Sequence, residues 1–287
     1  MKESTYKAKS VEELTFTDDG MFQAVLHKPE ICAELIERLL NVRVSHVEYP
    51  ELEKEIAPYY TTKSIRLDVY LKDEDKVIDV ECQSYPQDSL GKRTRYYQSM
   101  IDVDSLMKGQ DYSKLKESYI LFICKKDPFK DGKEKHYGLP CYTFKNICLE
   151  NSLVDLNDKS LKVIYNASAY REEKNPKIHD FLHFIYTNEP GKDDFSNRLL
   201  TLVEQIKQNE QFKEAYAAMN LHDRDITRMA ERHGIEIGIA KGAQQKAIEA
   251  ANNLLRMNIL SHEQIAQAQG LPVETVKELA AKLMIHA

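Results

Sequence analysis

The stretch "RLDVYLKDEDKVIDVECQ", residues 66–83, alternates apolar and polar side chains on both sides of a short charged centre. Alternation with a period of two is typical of a strand that buries one face, and here it occurs twice. The polar segment "KDEDK" between the two halves predicts the loop of a β-hairpin. One face of this hairpin would carry acidic and amide side chains, namely Asp68, Asp79, Glu81 and Gln83.

The other face of the predicted hairpin is apolar. The side chains assigned to it are Ile65, Leu67, Val69, Leu71, Ile78, Val80 and Cys82. If these side chains share one core, Asp68 and Glu81 must point to the same side of the sheet, because successive strand residues point to opposite faces. The sequence therefore predicts two carboxylates held close together on adjacent strands.

Carboxylates held in this way suit a divalent cation. Mg²⁺ prefers hard oxygen ligands and is usually bound by one or two carboxylates together with waters and phosphate oxygens. At a phosphodiester, such an ion activates a water and neutralises charge in the transition state. The alternative is an ordinary solvated face, since charged residues alternate on the outer face of most half-buried hairpins. The absence of Lys from this face of residues 77–83 favours the cation site, because clustered like charges repel one another.

The sequence around the hairpin predicts an α/β region followed by helices. Helices are predicted from the aspartates at 18 and 19 to residue 26, at residues 29–41 and at residues 88–109, and strands at residues 118–126, 141–150 and 161–170. The run at 118–126 is almost continuously apolar, which is typical of a central strand buried on both faces. We expect three parts: an α/β domain at 1–172, a helical extension at 173–221 and a helical tail at 222–287.

Composition narrows the class of protein. The chain has 287 residues, 42% of them hydrophobic, and a formal net charge of −6, so any contact with nucleic acid must be local rather than through a generally basic surface. The five cysteines include no C-x-x-C pair and imply no disulfide framework. No apolar run approaches the length of a membrane span. We expect a cytoplasmic protein with no membrane segment.

Several short motifs occur in an order that resembles the PD-(D/E)XK nuclease superfamily, and within it the Rpn family of recombination-promoting nucleases and transposases. The matching segments are "TDDGMF" with Asp19, "RLDVYL" with Asp68, "DVECQ" with Glu81 and Gln83, "KRTRYY" with Arg93 and Tyr97, and "GQDYSKL". Together they cover most of residues 15–125. One difference from the wider superfamily is Gln83, which stands where most members carry Lys and can only form hydrogen bonds.

This resemblance implies a restriction-endonuclease-like mixed sheet flanked by helices and a metal-dependent DNA endonuclease linked to recombination and mobile elements. Asp68 and Glu81 would bind Mg²⁺, or Mn²⁺ in its place, with the carbonyl of Cys82 as a third ligand. Gln83 would orient the attacking water and Asp19 would support the metal. A homodimer would let two such centres cut both DNA strands. Splayed carboxylates, or carboxylates occupied by a salt-bridge partner, would contradict this hypothesis.

The helix after the hairpin offers DNA contacts. Arg93 and Tyr97 are four residues apart and therefore lie on one helical face. Together with Arg95 they are predicted to contact phosphates beside the carboxylates. The alternatives are a solvated basic turn for the arginines, a core position for Tyr97, and a helix N-cap role for Asp19.

The tail resembles a helix-turn-helix at its end. Ser261 and Gln264 form a capping-box pattern, Gly270 ends one short helix and Pro272 opens the next. The positive and negative charges on the second helix cancel. This helix is therefore predicted equally well to contact DNA bases or to pack against another protein. Two other functions therefore stay open: a catalytically silent module that binds DNA or a partner, with the tail setting its oligomeric state, and a transcription regulator acting through residues 254–284.

Overall fold

The computed structural model describes residues 9–44, 51–56, 65–85, 89–257 and 259–285. Its contacts divide the chain into two compact units, Met1–Tyr216 and Ala217–Ala287. The divisions expected at residues 172 and 221 stay predictions. No helix in the described ranges combines the length and apolar character needed to cross a bilayer.

The first unit is built on a mixed sheet of six strands in the order β1-β2-β3-β4-β6-β5. The strands are β1 Glu51–Ile56, β2 Ile65–Lys72, β3 Lys76–Gln83, β4 Glu117–Cys124, β5 Cys141–Phe144 and β6 Ser160–Asn166. Neighbours in the run β1-β2-β3 are antiparallel, β3-β4-β6 is parallel, and β5 pairs with β6 antiparallel. The expected mixed sheet flanked by helices is confirmed.

Helices cover both faces of the sheet. The helices of the first unit are α1 Asp19–Leu26, α2 Pro29–Leu40, α3 Leu90–Ser105, α4 Pro176–Thr187 and α5 Asp194–Lys207. Helices α1, α2, α4 and α5 share one apolar core with one side of the sheet, whereas α3 packs against the opposite side. The candidate carboxylates lie on the strands beneath α3.

The ends of these elements follow local chemistry. Pro29 sits in the first turn of α2, where the N–H it lacks would have no helical partner. The same helix stops at Asn41, whose φ of 53° places it in the left-handed region that ends many helices. Strand β4 is buried along most of its length, as its apolar run predicts for a central strand between parallel neighbours.

Several predicted boundaries differ from the structure, and one strand is not predicted. The strand expected at residues 161–170 ends at Asn166. The helix expected to reach Gly109 ends at Ser105, and the strand expected within residues 141–150 is confined to Cys141–Phe144. Strand β1 was missed because its sequence, "ELEKEI", is mostly charged. It lies at the edge of the sheet, where charged side chains are common because they discourage pairing with another chain.

The predicted placement of Leu67 on the face of Val69 and Leu71 is wrong. Leu67 packs with Tyr70 beneath α3, whereas Val69 and Leu71 pack on the opposite side of the sheet. The strict alternation of faces therefore breaks at Asp68. The side chain of Ile65 lies outside the described residues.

The second unit contains most of one long helix, α6 Glu210–Met257, followed by α7 His262–Gln269 and α8 Val273–Ile285. The capping box at Ser261 and Gln264 is present, and Gly270 ends α7 with a φ of +64°. Ala251, Ile265, Ala266 and Val276 form a small core of their own. The two short helices expected at the end of the tail are thus confirmed.

A carboxylate cluster at the end of two strands

Asp68 and Glu81 are linked where the hairpin ladder stops. The backbone pairing of β2 with β3 ends at Val69 opposite Val80. Beyond it, the Asp68 N–H donates to Glu81 Oε1 at 3.0 Å, and the Cys82 N–H donates to Asp68 Oδ2 at 3.3 Å. The two carboxylates therefore take the place of backbone acceptors at this point, and both are fixed by the strands that carry them.

The face that carries Glu81 is buried. Asp79, Glu81 and Gln83 are only 0%, 1% and 7% exposed. Their cover comes from apolar residues of α3, namely Leu90, Tyr97, Met100 and Ile101. The alternative of an ordinary solvated hairpin face does not describe these three side chains.

Arg93 is the cation of this cluster. Its Nη2 lies 2.6 Å from Glu81 Oε2, and its Nε donates to the Tyr97 hydroxyl at 2.8 Å. The guanidinium also lies over the rings of Tyr97 and Phe122, at 5.0 and 5.2 Å from their centroids. The spacing of four residues predicted that Arg93 and Tyr97 share a helical face, and their hydrogen bond confirms it.

Burial and the neighbouring carboxylates raise the pKa values of Glu81 and Asp79 by more than Arg93 lowers them. Burial first, and the charge of Asp68 second, raise the pKa of Glu81 to about 8, although Arg93 acts to lower it. Burial and the charges of Glu81 and Asp68 likewise hold the pKa of Asp79 well above its usual range. Within the described residues, neither carboxyl oxygen of Asp79 has a hydrogen-bond partner. The sequence places Asp79 on the polar face of the hairpin but predicts no role for it, because its spacing is the same as that of a solvent-exposed acid on a strand.

The segment before α1 docks against the same end of β3. The hydroxyl of Ser84 donates to the carbonyl of Thr17 at 2.7 Å. Burial, Asp68 and, more weakly, Asp19 raise the pKa of Glu81, so Asp19 lies within electrostatic reach of the cluster. The N-cap of α1 is Asp18, and Asp19 is the first helical residue. The N-cap alternative therefore belongs to Asp18 rather than Asp19.

Of the other predicted site residues, Gln83 lies on the same strand as Glu81, whereas Arg95 lies away from the carboxylates. Gln83 is buried two residues beyond Glu81 on β3, at the end of the strand beside Cys124 of β4. Arg95 lies on another stripe of α3 and lines a separate pocket together with Thr94 and Gln98. The structure thus gathers Asp68, Glu81, Cys82, Arg93 and Tyr97, and separates Arg95 from them.

The donor chemistry of the cluster fits a hard cation. The Asp68 and Glu81 carboxylates supply hard oxygens, and the Cys82 carbonyl lies on the same side of its strand as the N–H that faces Asp68. Nevertheless, both oxygens of Glu81 already accept hydrogen bonds, one of them from Arg93. No group of three or more His, Cys, Asp or Glu side chains in the described ranges is arranged to hold a metal ion. A cation and Arg93 would compete for Glu81.

Comparison with known proteins gives one match. A family model described as "PD-(D/E)XK nuclease family transposase" matches residues 21–236, which is more than half of the chain. No curated protein and no solved structure matches. The family implies a nuclease or transposase-like function with DNA as the substrate class, and PD-(D/E)XK nucleases generally use divalent metals. Because the match spans both β2 and β3 and the helix that covers them, the chain belongs to the PD-(D/E)XK nuclease family transposases.

Proposed function

We propose that the chain is a divalent-metal-dependent DNA endonuclease that hydrolyses phosphodiester bonds. The observation that carries this proposal is that Asp68 and Glu81 lie together at the ends of adjacent strands. The carboxylate of each accepts a hydrogen bond from a backbone N–H of the other strand. The buried Glu81 carboxylate and the half-buried Asp68 carboxylate repel each other when both are ionised, and a bound cation would offset that repulsion. Asp68 and Glu81 would hold Mg²⁺ or Mn²⁺, with the Cys82 carbonyl as a third oxygen. When bound, the ion would activate a water and neutralise charge on the phosphate.

The neighbouring side chains have separate tasks in this proposal. Gln83 would orient the attacking water through its amide, which can both donate and accept. Arg93, held by Tyr97 beside Glu81, would exchange its contact with Glu81 for one with the DNA phosphate. Asp19 would support the metal by adding negative charge at the end of β3.

DNA contact and assembly complete the proposal. Arg93 and Tyr97 would contact the backbone near the scissile phosphate, and Arg95 would contact it farther along α3. A homodimer would place two centres on the two strands of a duplex, as cleavage in recombination or in the movement of a mobile element requires. The proposed compartment is the cytoplasm.

Cleavage of supercoiled plasmid with Mg²⁺ tests the proposal. We expect the wild type to nick or linearise the plasmid and Asp68→Asn to abolish cleavage while circular dichroism stays unchanged. Asp75→Asn, on the exposed loop between β2 and β3, is the matched control and should cleave normally. Equal cleavage by the wild type and both variants would overturn the assignment of Asp68.

A second candidate function is a catalytically silent module that binds DNA or a partner. The occupation of both Glu81 oxygens, one by Arg93, specifically favours it. Calorimetric titration with Mn²⁺ separates the two candidates. Binding that disappears in Asp68→Asn supports the nuclease, whereas no binding together with DNA retention in a gel supports the silent module.

A further inference from the structure

A pocket of about 370 Å³ opens between α3 and the edge formed by β5 and β6. It is lined on one side by Gly91, Thr94, Arg95 and Gln98 of α3. These residues form a stripe at helical spacing that differs from the stripe of Arg93 and Tyr97. The pocket is therefore a feature separate from the carboxylate cluster, although one helix contributes to both.

The lining of this pocket is positively charged. It contains Arg95, Lys145 and Lys162 and no Asp or Glu, in a chain whose net charge is −6. Among the described residues, the arginines that form ion pairs are Arg38, Arg93 and Arg198, and Arg95 is not one of them. Lys145 lies 3.7 Å from Asp155, an exposed pair that water can readily separate. Such a local excess of positive charge is complementary to a phosphate group.

Lys162 is held in position within the lining. Its Nζ donates to the hydroxyl of Ser160 at 2.6 Å. Asp102 lies within electrostatic reach of Lys162. Burial raises the pKa of Asp102, while a hydrogen bond from Gln98 and the charge of Lys162 act to lower it. Within the described residues, Asp102 acts on Lys162 only through its charge and no hydrogen bond joins the two side chains, so the Lys162 ammonium is available to an anion.

Two aromatic rings stand beside these cations. The centroids of Phe129 and Phe144 are 5.4 Å apart, and Phe144 is 45% exposed. Phe129 is fixed from behind by the ring of Tyr142 at 4.8 Å and by the bond of its own N–H to Asp127. An exposed ring held in a fixed orientation next to cations is the arrangement on which nucleobases stack in single-strand-binding proteins.

We propose that this pocket binds one nucleotide unit of a single DNA strand. The base would stack on Phe144, and Arg95 and Lys162 would contact the adjacent phosphate. Asn146 also lines the pocket, and its amide would exchange the contact with Asp158 for a hydrogen bond to the base edge. The choice of a DNA strand over a free nucleotide rests on the proposed function, whereas the stacking and charge contacts do not.

The test measures fluorescence anisotropy of a fluorescein-labelled oligothymidylate with the full-length chain in EDTA, so that catalysis plays no part. Stacking of one base is worth about 1–3 kcal/mol, so we expect Phe144→Ala to weaken binding roughly 5- to 150-fold. Phe144→Leu, which keeps the apolar bulk and loses the ring, should weaken it similarly. Tyr112→Ala, an exposed aromatic outside the pocket, is the matched control and should bind as the wild type does.

Charge and ligand source are tested in the same assay. Arg95→Gln and Lys162→Gln should each lower the slope of log affinity against log salt by about 0.7, the value for one contact to a single strand. Lys133→Gln, an exposed lysine outside the pocket, should leave it unchanged. Thymidine monophosphate should compete only weakly. Monophosphate binding that depends on Phe144, with unchanged affinity for the strand, would overturn the choice of a DNA strand.

Two results distinguish failure of the pocket from failure of the nuclease. Strand affinity that is the same in the wild type, Phe144→Ala and Phe144→Leu would overturn the pocket, whatever the plasmid assay shows. Strand affinity that depends on Phe144 and persists in Asp68→Asn supports the pocket even if the wild type cleaves no plasmid.

Discussion

Glu81 is the residue on which the chemistry of the cluster depends. Burial and the charge of Asp68 raise its pKa from 4.5 to about 8. The folded chain therefore binds more protons than the unfolded chain between these two values, and stability falls as the pH rises through that window. The folded chain thus disfavours the ionised form of Glu81 even with Arg93 beside it, and the proposed cation would favour that form.

A substitution at Glu81 should reveal this pH dependence. Glu81→Gln removes the ionisable group and retains its shape, so its stability relative to the wild type should rise by roughly 1–3 kcal/mol between pH 5 and pH 9. Urea unfolding at the two pH values measures the difference. Glu74→Gln, on an exposed loop residue, is the control. A relative stability of Glu81→Gln that does not change with pH would contradict the raised pKa.

Gly191 is a second position where one residue decides local packing. The N–H groups of Lys192 and Asp193 donate to Asp180 Oδ2 at 2.8 and 2.9 Å, so the chain passes close to that carboxylate. An added Cβ at Gly191 would lie 2.6 Å from Asp180 Cγ.

We therefore expect Gly191→Ala to destabilise the first unit by about 1–3 kcal/mol, as overpacking typically does. Thermal unfolding measures the effect. Gly132→Ala, where an added Cβ would meet nothing within 4 Å, should be close to neutral. Equal melting temperatures for the two variants would show that the chain at Gly191 moves aside freely.

At the residue scale, the sequence predicted part of the candidate site. The period-2 pattern correctly brought Asp68 and Glu81 together, because strand geometry is local. It did not show that Arg93 pairs with Glu81 or that Asp79 has no hydrogen-bond partner among the described residues, because both depend on how α3 lies across the sheet. The sequence also did not show that the alternation of faces breaks at Asp68. Both sides of the sheet are apolar there, so Leu67 could pack on either one.

At the scale of elements, Asp127 fixes the connection between β4 and β5. Its carboxylate accepts from the N–H groups of Phe129 and Gly138 at 3.0 and 2.8 Å and from the Tyr142 hydroxyl at 2.9 Å. Burial, followed by the hydrogen bond to Asp127, raises the pKa of Tyr142 to about 12. This one side chain holds both the loop and the strand that position Phe129 and Phe144.

Asp127→Ala should therefore lower the free energy of unfolding by about 2–4 kcal/mol, because it leaves the buried Tyr142 hydroxyl and the N–H groups of Phe129 and Gly138 without their charged acceptor. Urea denaturation measures this loss. Asp131→Ala, whose exposed carboxylate bonds only local N–H groups, is the comparison and should cost less than about 1 kcal/mol. Similar losses for both variants would mean that Asp127 does not anchor the connection.

The elements that the sequence predicted well are those with a clear apolar pattern. The central strand β4 and helices α2 and α4 bury residues at regular spacing, so their positions follow from pattern alone. Strand β1 could not be found in this way, because an edge strand with charged residues gains its structure from pairing with β2 rather than from its own pattern.

At the scale of the whole molecule, the two compact units have separate cores. The core of the first includes α4 and α5 and extends to Phe212 and Tyr216 at the start of α6. The second has its own small core around Ala251 and Ile265. Separate cores imply that each unit gains most of its stability from its own contacts.

A chain that ends at residue 216 should therefore fold and unfold cooperatively, with nearly the urea midpoint of the corresponding transition in the full chain. A chain that ends at residue 193 loses the buried residues Phe195, Leu199 and Val203 and should not fold. Circular dichroism and urea titration compare the two. Failure of the 216-residue chain to fold would show that residues beyond Tyr216 are needed by the first core.

The central claim is that Asp68 and Glu81 form a metal site at which Arg93 can be replaced as the partner of Glu81. Anomalous diffraction from a crystal soaked in Mn²⁺ tests it most directly, because it reports position and occupancy together. We expect a Mn²⁺ peak bounded by Asp68, Glu81 and the Cys82 carbonyl, and no peak there in Asp68→Asn. Saturating Mn²⁺ with no peak and an unchanged pair between Arg93 and Glu81 would contradict it.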